Sequence, residues 1–348
     1  MTGFVLLRVR AHRLLLAAAV LTVLLTTCVL AALAAYTGAI GDAAVRRTLQ
    51  HQAADRATFD AKASLTGKDA AALDQAVRGR LRGAFDGLPT HVATSTRSGP
   101  YALPLALRPT GAPKGSDPDL TLLATFDRAR LDLVGGNWPR PAAKGAGDVE
   151  VAVPEAVARA LHIAAGRPLT LADRLGGPPL HITVTGVYRP ADPASPYWQL
   201  DPLAGRGVHT LAFTTYGPLL ADPGTFASGR VAADEMSWQA TADFGGAGAG
   251  RIGALEASVK DATAALGADR ATGSAQTTTG LPDLLDGLRR SLLVTRSTLL
   301  IGAFQLVILA AFALLLVAQL LAEERAGETA LLRARGGSRG RVARLAAG

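Results

Sequence analysis

Three stretches of this sequence have residue types and spacing that elsewhere hold phosphates or build nucleophiles. Gly248-Ala-Gly250-Arg-Ile-Gly253 fits the G-x-G-x-x-G of a dinucleotide loop, between an expected strand and an expected helix. Such a loop also needs a second buried strand after the helix, ending near an acidic residue for the ribose. Ala271 to Gly280 (ATGSAQTTTG) stands there instead and is too polar for that strand, so the glycines read as a flexible loop. Gly336-Gly-Ser338-Arg-Gly340 fits the G-x-S-x-G nucleophile elbow. An elbow requires a strand leading in and a large α/β sheet carrying acid and histidine partners. An apolar run precedes this one, which makes it a chance match. Gly67-Lys68 lacks both the glycine five residues earlier and the Ser or Thr after the lysine that a P-loop needs. The chain is therefore not expected to bind ATP itself.

The single residues are no more reactive. The six histidines, His12, His51, His91, His162, His181 and His209, never fall at a metal spacing such as i, i+4 on one helix. Trp138, Trp198 and Trp238 read as packing residues. The one cysteine, Cys28, excludes a disulfide framework and a cysteine zinc cluster. The expectation is a non-enzyme with no catalytic residues, metal or cofactor of its own. Its formal charge of +8 comes from arginines scattered along the chain with no basic stripe, so no nucleic-acid partner is expected.

Where the apolar residues lie decides which elements could carry a function. Hydrophobic residues make up 49% of the 348 and charged residues only 18%. The mean hydropathy of +0.24 is high for a purely soluble protein. Leu14 to Tyr36 and Thr298 to Ala322 each run without one charge. As helices rising ~1.5 Å per residue, both cross a hydrocarbon core of ~30 Å. Thr22, Thr26 and Thr27 interrupt the first run, but a threonine hydroxyl can bond back to a carbonyl of its own helix. Arg8, Arg10 and Arg13 with Ala32-Leu33-Ala34 also suggest a cleaved leader. A leader has an apolar core of ~7–15 residues, however, and this one is longer, which favours an uncleaved anchor.

Orientation follows from the flanking arginines, which are denser on the two terminal segments. The expected layout is a cytoplasmic stub at 1–13, a transmembrane helix at 14–36, an extracytoplasmic α+β domain at 37–297, a second transmembrane helix at 298–322, and a cytoplasmic segment at 323–348. Both termini then lie inside the cell membrane.

The middle segment alternates between helical and strand patterns. Lys68 to Phe85 places Leu73, Val77, Leu81 and Phe85 on one helix face. Strands are expected at His91–Thr96, Leu120–Phe126, Asp148–Val153, Pro168–Leu171, His181–Tyr188, Thr210–Thr215 and Trp238–Phe244. Short helices are expected at Glu155–Leu161 and Ile252–Leu266. Ser98 to Asp119, rich in Pro, Gly and Ser, reads as an irregular excursion. The order suits an α+β domain, in one or two lobes, rather than a doubly wound sheet.

The tail, EERAGETALLRARGGSRGRVARLAAG, is more than a positive anchor. The second span should continue as helix to Arg335, stop at Gly336-Gly337, and restart as a short amphipathic helix capped by Ser338. Leu331-Leu332 beside Glu328 and Arg333 would make a docking element for another protein. Glu328-Thr-Ala-Leu-Leu-Arg-Ala-Arg-Gly-Gly-Ser338-Arg339 resembles the E-x-A-L-L-R-A-x-G-x-S-R segment of the FtsX-like (MacB-type) permeases of ABC transporters. Gly136-Asn-Trp138-Pro139 and Val151 to Leu161 (VAVPEAVARAL) resemble parts of that family's periplasmic core domain, and the likeness spans the chain.

The resemblance implies a permease subunit coupling hydrolysis by a separate P-loop ATPase to movement of the external domain. ATP would be bound by that partner. Glu328, Leu331, Leu332, Arg333, Gly337 and Ser338 would form the ATPase contact. Arg335 stands where the family motif is usually apolar. The family needs at least four spans, so the chain is expected to be an N-terminal half, a truncated product, or a protein that dimerises or pairs with a second permease half. The alternative reading is a two-span sensor with an external ligand-binding domain, although no signalling helix pair or kinase follows the second span. A secreted hydrolase with a cleaved leader fails on the second span.

Overall fold

The computed structural model of the chain describes residues 13–108, 118–142, 147–211 and 213–334. It divides into two units, the terminal segments Met1–Ala44 with Leu288–Gly348, and the globular segment Val45–Gly287. In chain order the elements are α1 (Arg13–Arg47), β1 (Phe59–Ser64), α2 (Ala70–Gly83), β2 (Thr90–Ser98), β3 (Tyr101–Ala102), β4 (Leu120–Ala124), β5 (Leu131–Gly136) and β6 (Val149–Pro154). There follow α3 (Glu155–Leu161), β7 (Pro168–Asp173), β8 (Leu180–Pro190), β9 (Val208–Thr210), β10 (Thr214–Leu220), α4 (Pro223–Ala227), β11 (Ala233–Ala242), α5 (Ile252–Ala268), β12 (Gln276–Thr279) and α6 (Leu281–Ala334).

The globular segment is built in two lobes. In the first, the strand order is β12-β1-β11-β2, every neighbour antiparallel. Helix α2 carries the chain from β1 to β2, and α5 carries it from β11 to β12. Each crossover skips one strand, which is the split β-α-β arrangement of a ferredoxin-like fold. Asp69 caps α2 by accepting from the amides of Ala71 at 2.8 Å and Ala72 at 3.3 Å. Leu73, Val77, Leu81 and Phe85 are all buried, as their four-residue spacing requires. The fully buried Trp238 donates from Nε1 to Asp74 at 2.7 Å, and Asp74 also holds Arg78. That network fastens α2 to the sheet.

Residues 99–232 form the second lobe, inserted between β2 and β11. Its pairings run β3 to β4, β4 to β10, β10 to β6, β6 to β8, β8 to β7 and β7 back to β3. The ring closes into a small six-stranded barrel, which leaves these strands no open edge. Val149, Val151, Val153, Leu171, Ile182 and Val184 fill it, with Val157 and Leu161 of α3. Helix α3 ends at His162 in the left-handed conformation, φ 50°. Strand β5 adds to the C-terminal half of β8.

Several expectations change here. Thr210–Thr215 is not one strand: β9 ends at Thr210 and β10, antiparallel to it, begins at Thr214. Within Ser98–Asp119 the chain forms β3 and a 3-10 turn at Leu105–Leu107, and β5 lies where no strand was expected. The polar Ala271–Gly280 contributes β12, a half-exposed edge strand, because an edge needs no buried face on both sides. The Gly248–Gly253 stretch is a 3-10 turn leading into α5, and α5 returns to an edge strand antiparallel to β1. No dinucleotide crossover exists there.

Among the described residues, the terminal unit holds two helical stretches, and two helices are long and apolar enough to cross a membrane by length and composition. Leu21, Leu24, Leu300, Ile301 and Phe304 are each more than 60% exposed, an apolar surface that water covers only at a cost. Thr22, Thr26 and Thr27 donate back to the carbonyls of Ala18, Thr22 and Val23 at 2.8 Å, as expected of hydroxyls in an apolar helix.

Candidate functional site

The two lobes meet at a strap, residues 191–207, that joins β8 to β9. Its 3-10 turn, Pro196–Leu200, packs on β2 and β11 of the first lobe. Tyr197, Trp198 and Leu200 are buried with Phe126, Ala124 and Tyr188 in one apolar cluster. Phe126, Tyr197 and Trp198 meet edge to face, with centroids 5.2–6.3 Å apart. The polar tips are satisfied. Trp198 Nε1 donates to the carbonyl of Asp192 at 2.8 Å, and the amide of Asp127 donates to Tyr197 Oη at 2.8 Å. Burial pushes the Tyr197 hydroxyl up to about 12.

Beside this cluster lies a buried polar group. Asp60 of β1 and Gln239 of β11 are register partners on the sheet face turned to the strap. Gln239 Nε2 donates to Asp60 Oδ1 at 3.0 Å and to the Pro196 carbonyl at 2.8 Å. Thr58 Oγ1 lies 3.0 Å from Asp60 Oδ2 and 3.2 Å from Gln199 Oε1. Gln199 Nε2 donates to the Asp55 carbonyl at 3.1 Å. Burial raises the Asp60 carboxyl above its ordinary value, against the bonds from Gln239 and Thr58 and the charge of Lys62.

Asp201 closes the strap. Only 4% exposed, it accepts from the amides of Leu203 at 2.9 Å and Gly205 at 2.7 Å. Burial raises it to about 6, opposed by those two bonds and by Arg97. Tyr188, donating to the Pro218 carbonyl at 2.8 Å, is pushed well above its ordinary value by burial and by the nearby Asp201.

The sequence motifs fall elsewhere. Gly136 sits at the bulged end of β5 with φ 78°, and the next amide, of Asn137, donates to Thr185 O at 2.8 Å. Arg128 lies 5.8 Å from the Trp138 ring centroid and donates to Pro139 O and Asp222, both at 2.8 Å. Val151–Leu161 is the β6–α3 unit of the barrel. Of the expected ATPase-contact residues, Glu328, Leu331, Leu332 and Arg333 belong to the last turns of α6. Gly337 and Ser338, with Arg335, the G-x-S-x-G match and the second short helix, lie outside the described residues. Among the described residues no group of three or more His, Cys, Asp or Glu side chains could hold a metal ion.

The strap residues carried no motif. Asp60 is one acid in an otherwise ordinary strand, FDAKAS, and nothing local marks it as buried. Asp201-Pro202 with Gly205 does have the composition of an aspartate-capped turn. As a whole the junction ties the strap to the first lobe through the aromatic cluster and the Thr58–Asp60–Gln199–Gln239 hydrogen bonds.

No family model and no curated protein matches the sequence. Among solved structures, the chain is similar to a crystallised domain of a proposed permease protein from Porphyromonas gingivalis. The identity is 14% and the TM-score 0.27, over 63% of this chain and 85% of that one. A TM-score of 0.27 does not establish a common fold.

Proposed function

We propose that the chain is a permease subunit of an ABC transporter, with two membrane spans, an extracytoplasmic two-lobed domain and a cytoplasmic coupling segment. In this reading a separate P-loop ATPase binds and hydrolyses ATP, and its closure moves the helices and through them the external domain. The subunit is no enzyme, and it works as a homodimer or with a second permease half. Both termini lie inside the cell membrane.

One observation supports this most. Helix α6 is a single element of 54 residues, about 80 Å at ~1.5 Å per residue. Its first turns bury Leu281, Leu284 and Leu285 within the globular segment, its middle is apolar, and its last turns hold Glu328, Leu331, Leu332 and Arg333. Glu328, Leu331 and Leu332, three and four residues apart, fall on one side of the helix by position. A helix of that kind can transmit a displacement along its axis.

The test is co-purification of a P-loop ATPase with the full chain from membranes. Changing Leu331 and Leu332 to Asp should abolish the association while the protein still inserts. An undiminished yield from the double variant would refute the docking assignment. An externally accessible tag at Gly348 would refute the orientation.

A further inference from the structure

Thr58 Oγ1 stands among three oxygens that can only accept while Asp60 is ionised. They are Asp60 Oδ2 at 3.0 Å, Gln199 Oε1 at 3.2 Å and the Asp55 carbonyl at 3.2 Å. The hydroxyl has one proton to give. Gln199 cannot supply a second from this side, because its Nε2 is turned to the Asp55 carbonyl. Thr58 is 2% exposed and Asp60 9%, so these two have little water to turn to, while Gln199 and Asp55 are exposed residues and Gln199 Oε1 turns to water whenever Thr58 donates to Asp60.

We propose that the lobe junction is a proton-gated clamp. One proton taken up at Asp60 Oδ2 lets the carboxyl donate to Thr58 Oγ1, and frees the Thr58 hydroxyl to donate to Gln199 Oε1 of the strap. The strap then gains a hydrogen bond to the first lobe, and the bond that weakens, from Gln239 to Asp60 Oδ1, lies within that lobe. Low pH tightens the two lobes on each other and high pH loosens them.

The surroundings of Asp60 leave this proton to the cluster itself. The nearest charge on its own strand is Lys62. On β11 it is Glu235, already ion-paired with Arg97 at 2.7 Å. β12 places Thr278 opposite Asp60 and brings no charge. The strap carries Asp192, Asp201 and Arg206, and the segment leading into β1 carries Asp55 and Arg56. Burial, the largest cause, raises the Asp60 carboxyl above its ordinary value, so the uptake comes at a higher pH than at an exposed aspartate.

The clamp is a property of the globular segment and does not depend on the transporter reading. Its test is amide hydrogen exchange of Trp198 and Asp201 in the full detergent-solubilised chain, each rate divided by the intrinsic rate at that pH. Protection should be about three- to tenfold greater at about pH 4, close to the ordinary value that the raised carboxyl exceeds, than at about pH 8, the worth of one hydrogen bond. Asp60→Asn, whose amide donates to Thr58 at any pH, should hold the high protection at both. Gln199→Met, which removes the strap acceptor without touching Asp60, should hold the low protection at both. All proteins are compared in the Asp201→Asn background as well, so that the strap's own carboxyl is not read as Asp60. A wild-type protein without this pH dependence, or an Asp60→Asn variant that retains it, overturns the proposal.

Discussion

Replacing Asp201 by Asn should reverse its effect on stability across the acid range. The folded-state carboxyl titrates at about 6 against an ordinary 3.8, so between those values the folded protein holds a proton that the unfolded chain has lost. The stabilisation from this group is complete below the ordinary value and is lost as the pH rises through about 6. Two pKa units correspond to ~3 kcal/mol. Asn has one side-chain oxygen and gives up one of the two bonds from Leu203 and Gly205, which costs ~1 kcal/mol at every pH. The variant should therefore be ~1 kcal/mol less stable than wild type at about pH 4 and ~2 kcal/mol more stable at about pH 7. The assay is denaturant unfolding of the full chain in detergent, followed by tryptophan fluorescence, since Trp198 lies in the same strap. Parallel stability curves for the two proteins would show that burial does not dominate at Asp201.

Three further substitutions probe how the lobes are built. A Cβ on Gly136 would lie 2.2 Å from Thr185 O and 2.8 Å from Gly186 Cα, at φ 78°, and neither backbone atom can swing aside. Gly136→Ala should cost more than ~3 kcal/mol, whereas Gly135→Ala, which meets nothing within 4 Å, should change stability by less than ~1 kcal/mol. Equal thermal midpoints for the two variants would contradict the bulge geometry. Trp238→Phe removes the donor to Asp74 and part of a fully buried ring, and should cost ~2–3 kcal/mol in the same unfolding assay. A loss below ~0.5 kcal/mol would mean that Asp74 and Arg78 hold α2 without it.

How much was legible before the structure depended on the range of the interactions. The two long apolar runs, the α2 face at Leu73, Val77, Leu81 and Phe85, and the β6–α3 turn at Pro154 are local patterns, and the structure forms them. The threonine back-bonds of α1 follow from the same local rule. Thr210–Thr215 misled because a hairpin turn and a strand share its composition, and β12 was set aside because a polar edge strand has no buried face to announce it. The coupling residues rest on a motif alone, and of those described only the helical backbone of α6 bears on them.

Sequence alone determined which segments are apolar enough to leave water and which helices have one greasy face, because those properties belong to neighbours along the chain. Only the tertiary structure decided that residues 99–232 close into a barrel between two halves of a split sheet. Only it brought Thr58, Asp60, Gln199 and Gln239 into contact across as many as 179 positions of chain. A hydrogen bond between residues so far apart leaves no periodicity to read, since each partner is an ordinary polar residue until the fold removes the water around it.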